Sequence, residues 1–177
     1  MLTAARAAAV RAGVSRGDAA GTARGRAPAT LARTMEHDDN ERVFRELVER
    51  AFCRGDTTVF DELVSADLLD HEAGSPARSA GRDSMRWVAG LLRTAFPDLR
   101  VTVEDIVTVG DRTWARVRYR GTNSGQFMDS APTGRYAEWD GVSICRYAGG
   151  RLVEHWGVVD RLSGLQQLGL AGRPGAH

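Results

Sequence analysis

At Pro97 the hydrophobic period of the chain changes from that of a helix to that of a strand, and this switch decides what the sequence can fold into. Upstream, Val43, Phe44, Leu47, Val48, Ala51 and Phe52 recur on one helical face behind a capping-box spacing from Asp38 to Glu41, and Gly55 ends that helix. A short second helix carries Val59, Phe60, Leu63 and Val64. A third runs from about Asp83 to Phe96 and turns Trp87, Val88, Leu91, Leu92 and Ala95 inward. Pro97 stops it, because the ring disfavours helical geometry in the preceding residue and lacks a backbone donor.

Downstream, Leu99, Val101 and Val103 alternate with Arg100, Thr102 and Glu104. After the Gly110-Asp111 turn, Ala115, Val117 and Tyr119 alternate with Trp114, Arg116, Arg118 and Arg120. A further strand covers about Arg135 to Tyr147, turns at Ala148-Gly149-Gly150 and returns from Arg151 to Asp160. A closing helix, Leu162 to Leu168, ends at Gly169. Three helices followed by four antiparallel strands predict an α+β fold with the helices on one face of a curved sheet.

Strand parity can be carried across the last hairpin. A tight turn at Gly149-Gly150 sets Ser143 opposite Gly157 and Cys145 opposite His155, so these four share a face with Trp139, Gly141, Val153 and Val159. That face meets the helices. The opposite face takes Glu138, Asp140, Val142, Ile144, Arg146, Glu154, Trp156 and Val158, joined by Arg116, Arg118 and Arg120. Charges of both signs interleaved with Trp156 and Ile144 read as the interface of a homodimer.

The 177 residues allow one core and a pocket, not two domains. All basic residues are arginines, and 24 of them against 23 carboxylates leave a net charge of +1, which argues against a nucleic-acid partner. Cys53 and Cys145 stand far apart without close-spaced partners, so no disulfide framework and no zinc site is expected, and a reducing cytoplasm fits. No run is apolar and long enough for a membrane span. Residues 1–36 are rich in Ala, Arg and Gly with Asp18 as the sole acid before residue 36, and are expected to be a disordered extension. The Arg-rich start is compatible with an organelle transit segment, and a true start at Met35 accounts for the extension equally well. The domain proper is expected over 37–172, with 173–177 as a flexible tail.

Among ionisable residues, His155 is best placed for the cavity, where an imidazole can move a proton or fix a carbonyl oxygen; a core histidine bonded to a backbone carbonyl is the alternative. His71, beside Asp70, is a second candidate, with Asp70 either orienting it or facing solvent. Asp160 is placed to cap the final helix. Asp140 and Glu138 are expected to pair with the arginine row. Cys145 needs a base beside it to act as a nucleophile, and His155 is its predicted neighbour; buried structural thiols are the commoner case. Phe52, Trp87, Leu91, Phe127, Met128 and Trp139 exceed what a thin two-layer core requires at one end. With Ser143, Cys145 and Gly157 they are the expected lining of a small-molecule site, under a lip formed by Phe127-Met128 and Pro132-Thr133-Gly134.

Several motifs occur together: Ala51-Phe52-Cys53-Arg54-Gly55-Asp56, Phe96-Pro97-Asp98, Gly121-Thr122-Asn123-Ser124-Gly125-Gln126-Phe127-Met128, Pro132-Thr133-Gly134-Arg135, Gly150-Arg151-Leu152-Val153-Glu154-His155-Trp156 and Leu165-Gln166-Gln167-Leu168-Gly169. Over about residues 38 to 170 this set resembles the SnoaL-like ester cyclases of aromatic polyketide pathways. The resemblance implies an NTF2-like cone, dimeric and free of metal or organic cofactor. It also implies that the family's acid/base aspartate falls at Gly157 and its polar helpers at Ser143 and Gly141, and a glycine cannot shuttle a proton. Members that act by shape on a cycloaddition offer another route. The expected function is therefore a small-molecule cyclase or isomerase acting on a polyketide-type intermediate of secondary metabolism, with an apolar pocket and His155, joined by His71, as polar handle. The alternatives are a non-catalytic ligand-binding protein and an epoxide-hydrolase-type enzyme; the latter needs a buried carboxylate pair, and none can be placed on the predicted inner face.

Overall fold

The computed structural model describes residues 39–72 and 81–172. The predicted extension 1–36, the cap at Asp38 and the tail 173–177 lie outside them. Helix α1 spans residues 39–53. It is α-helical to residue 47 and widens into a π-turn over Val48–Cys53, where the Arg54 N–H reaches back to the Glu49 carbonyl at 3.0 Å. The extra residue per turn rotates the buried face, so Cys53 joins Ala51 inside the core while Phe52 is half-buried.

Next come α2 (Val59–Leu63), β1 (Val64–Asp70), α3 (Arg82–Ala95), β2 (Arg100–Val109), β3 (Arg112–Thr122), β4 (Tyr136–Ala148), β5 (Arg151–Val159) and α4 (Arg161–Leu168). The sheet order is β1-β5-β4-β3-β2. The fold is the expected α+β, but the sheet has a fifth strand: β1 lies at the edge and pairs with β5 in parallel, with Asp70 beside His155. Its pairing breaks between Val64 and Leu69, and only Val64, Leu68 and Asp70 are buried, so no strict alternation marks it in the sequence.

Helix α3 ends where Pro97 requires, with Phe96 as its cap. Asp160 caps α4 through a 3.0 Å bond from the Ser163 N–H, as its position suggests. The core gathers Phe60, Phe96, Leu99 and Leu152, all at most 1% exposed, between the helices and the inner sheet face. Each such side chain contributes about 1.5–3 kcal/mol by leaving water.

The β4–β5 hairpin pairs Ser143 with Gly157 and Cys145 with His155, as parity predicts. Between Arg146 and Tyr147 the register shifts, so Tyr147 faces Leu152. This bulge corrects the inner-face assignment near the turn: Leu152, fully buried, takes the core position expected for Val153. On the outer face Arg118 bonds Asp140 at 2.9 Å and lies 3.4 Å from Glu138, the expected cross-strand match.

Candidate active site

Between α1, α3, α4 and the inner sheet face lies a hollow of about 180 Å³. Its floor is aromatic: Trp139 stacks on Tyr119 with ring centres 5.5 Å apart and planes within 3°, and Phe96 meets Trp139 at 5.2 Å. Phe127 packs edge-on against Phe96 at 5.6 Å. Phe52, Trp87, Leu91, Phe127, Met128, Trp139, Ser143, Cys145 and Gly157 border this hollow, as does His155, whereas Pro132, Thr133 and Gly134 of the expected lip do not. Trp87 and Met128 are 42% and 54% exposed, which puts them at its rim. The lip is pinned by Asn123, fully buried, whose amide donates to the Ala95 carbonyl at 3.2 Å and whose oxygen accepts from the Thr133 N–H at 2.9 Å.

One end of the hollow is polar. His155 Nδ1 lies 3.0 Å from Asp70 Oδ1, and both side chains are nearly inaccessible, at 6% and 3% exposed. Ser84 Oγ stands 2.9 Å from Asp70 Oδ2, and the Glu72 N–H donates to Asp70 Oδ1 at 3.1 Å. Burial alone would push the Asp70 carboxyl up, but the imidazole's hydrogen bond and charge, with these two donors, outweigh it and hold the group below the usual carboxylate range. With Nδ1 committed to Asp70, Nε2 is the nitrogen available to a ligand.

Asp70 therefore orients His155, not His71. Successive residues of an extended chain point to opposite faces, so Asp70 and Glu72 turn in while His71 turns out. His71 is on the outer face, its Nε2 3.0 Å from Glu154 Oε1 and its ring stacked on Trp156 at 4.8 Å, and it does not border the hollow. The pairing with His71 and Arg146 holds the Glu154 carboxyl below its ordinary range.

Glu72 is the residue that sequence reasoning missed. A Cβ placed on Gly157 would lie 2.8 Å from Glu72 Oε2 and 3.0 Å from His155 Cε1, so the Glu72 carboxylate fills the space over this glycine, beside the imidazole. Arg161, at the start of α4, holds Glu72 Oε1 at 2.9 Å. The expectation that no carboxylate pair reaches the inner face is thus corrected: Asp70 and Glu72 both border the hollow. The alternation across Asp70-His71-Glu72 is the sequence signal that could have found them, once 64–70 is known to be a strand.

Tyr119 also borders the hollow; burial and the nearby Glu72 charge push its phenol above the ordinary value, so it keeps its proton at neutral pH. Burial pushes the Cys145 thiol up to about 12, against weaker opposing contacts from Tyr147 and Thr113, which removes it as a nucleophile. Among the described residues no cluster of three His, Cys, Asp or Glu could hold a metal ion, and no helix is long and apolar enough to cross a membrane.

The family description SnoaL-like polyketide cyclase matches residues 42–168. The chain belongs to the SnoaL-like polyketide cyclase family. Its solved relatives include IdmH from Streptomyces antibioticus, a candidate polyketide cyclase, 35% identical over 73% of this chain and 98% of that one, with a TM-score of 0.66. AclR from Streptomyces galilaeus, a candidate hydroxylase, is 27% identical over 77% of this chain and 89% of its own, at a TM-score of 0.68. TsrD from Streptomyces laurentii shares the fold at 23% identity and a TM-score of 0.68, covering 76% of this chain and 97% of that one. No curated protein matches the sequence. Within the SnoaL-like fold, this chain's polar end is built by residues from β1 and the segment after it, β5 and the start of α4.

Proposed function

We propose that this chain is a cyclase or isomerase of a compact, polyketide-type intermediate of secondary metabolism, whose apolar walls fold the substrate while His155 manages the proton on its carbonyl oxygen. The observation that carries the reading is the buried His155–Asp70 pair at the polar end of an otherwise apolar hollow. The ionised Asp70 accepts from Nδ1–H, which fixes the ring angle and supports a ring that also carries Nε2–H toward the ligand. In so dry a site, a hydrogen bond to the oxygen that gains charge is worth far more than in water. Holding the reacting carbons near attack geometry contributes up to roughly 7–11 kcal/mol more.

The hollow bounds the substrate. An apolar cavity of roughly 150 Å³ holds benzene, so the 180 Å³ here encloses about one or two rings, with any longer portion passing the rim at Trp87 and Met128. The test is to incubate the full chain with a panel of one- and two-ring ketones and ketoesters and to analyse the extracted ligand by chromatography. A ring-closed or rearranged product supports the reading. A ligand that is bound and recovered unchanged favours a non-catalytic binding protein.

A second reading, water addition to an epoxide, is favoured by the two carboxylates that border the hollow. Against it, Asp70 already accepts from His155, Ser84 and the Glu72 N–H, which leaves it little capacity to activate water. Formation of a diol from an epoxide probe is the supporting outcome.

The outer sheet face is our proposed homodimer interface. Val107, Val142 and Val158 are 55%, 45% and 74% exposed there, in a field of paired charges.

A further inference from the structure

We propose that Glu72 is the carbon base of this site, reaching the reacting atoms through the space that Gly157 leaves open; this rests on the reading of His155 given above. Three observations meet at one point. Glu72 Oε2 and His155 Cε1 lie 2.8 and 3.0 Å from the position where residue 157 would carry its first side-chain atom. The glycine contributes no atom there. The Glu72 side chain is 15% exposed and borders the hollow, so its carboxylate faces the ligand space rather than bulk water.

Arg161 acts as the positioning residue. Its guanidinium takes Glu72 Oε1 at 2.9 Å, which fixes the side chain and turns Oε2 toward the imidazole. The other titratable groups of the hollow are committed elsewhere. Asp70 is engaged by three donors, and the thiol of Cys145 and the phenol of Tyr119 hold their protons.

The step balances without any co-reactant. Glu72 takes the proton from a carbon next to the substrate carbonyl; the C–H electron pair becomes the enolate double bond, and the carbonyl π pair moves to oxygen, where the doubly protonated ring of His155, its Nδ1–H held by Asp70, donates from Nε2–H. Return of the proton from Glu72 to a different carbon isomerises the substrate. Attack of the enolate carbon on a second carbonyl of the same molecule closes a ring, and the new alkoxide recovers the proton from Glu72. A base just past the end of one strand and a donor on the neighbouring strand, both touching one point, is the arrangement this chemistry requires.

The test is hydrogen–deuterium exchange at the α-carbons of 2-tetralone, a two-ring ketone, in deuterium oxide with the full chain, read by NMR, alongside its affinity from Trp fluorescence. The wild type exchanges above the buffer rate, and Glu72→Gln lowers exchange by about 100-fold or more with affinity retained. Gly157→Ala gives a loss in the same direction, because its Cβ displaces Oε2, the far end of a flexible side chain, while the backbone stays put. The double variant Glu72→Ala with Gly157→Asp recovers exchange by returning a carboxylate to the same space from β5. Exchange at the wild-type rate in Glu72→Gln, with loss in His155→Gln, overturns the role of Glu72 and leaves that of His155 standing. A fall in affinity that accounts for the whole loss in Glu72→Gln makes it a binding group and overturns the proposal as well. No exchange by the wild type removes both readings.

Discussion

Asp70 Oδ1 lies 3.0 Å from His155 Nδ1 across the parallel seam between β1 and β5. The two residues are direct neighbours in that pairing, so the edge strand delivers a buried carboxylate to the sheet position that points into the hollow. The carboxyl sits below its ordinary range in the folded chain. A group depressed by folding contributes stability that is full above its unfolded value, near pH 3.9, and is lost as pH falls through the lower folded value. Asp70→Asn should therefore lower the urea-unfolding free energy at pH 7 by about 1–3 kcal/mol, and the gap to the wild type should narrow on acidification below about pH 4. A gap that does not depend on pH counts against this account of the pair.

The two thiols should be silent in the native state. Cys53 is 5% and Cys145 1% exposed, and burial raises both, the latter to about 12. Iodoacetamide at pH 8 should label neither cysteine in the folded protein and both in denaturant, as read by intact-mass spectrometry. Rapid labelling of Cys145 in the native state would mean that the hollow admits reagent and that the thiol is ionised.

Trp139 ties floor to core through its contacts with Tyr119 and Phe96. Trp139→Ala should lower stability by about 3–5 kcal/mol, measured by denaturant unfolding, because the vacated volume adds to the existing hollow rather than collapsing. Trp139→Phe should keep most of the stability and admit a bulkier ketone. A loss under 1 kcal/mol for the alanine variant would show that the indole is not held by the packing described.

Much of this site is legible in the sequence, for identifiable reasons. The Gly149-Gly150 turn fixes the pairing of β4 and β5, so Trp139, Ser143, Cys145, His155 and Gly157 fall on one face by counting. The bulge after Arg146 is not countable, and it exchanges Leu152 for Val153. Strand β1 escapes because its partner is more than eighty residues away and its burial does not alternate cleanly. Without that strand the inward turn of Asp70 and Glu72, and the outward turn of His71, cannot be assigned. The meeting of Glu72 with Gly157 is an encounter between distant segments, and no local pattern carries it.

The outer face offers its own test. Val158→Asp, at the most exposed of the three valines, should convert a dimer to a monomer in light scattering while leaving the hollow intact. His71→Ala, also on that side, should leave 2-tetralone exchange unchanged, since its ring touches Trp156 and Glu154 rather than the ligand space. Loss of exchange in His71→Ala would return that residue to the site.

The measurement that bears most directly on the whole account is the rate of α-carbon deuterium uptake by 2-tetralone in His155→Gln against the wild type, at equal bound fraction. The glutamine keeps a polar amide at the position but has no acidic proton to give to the carbonyl oxygen as charge develops there. The account predicts a fall of about 100-fold or more; equal rates in the two proteins would contradict it.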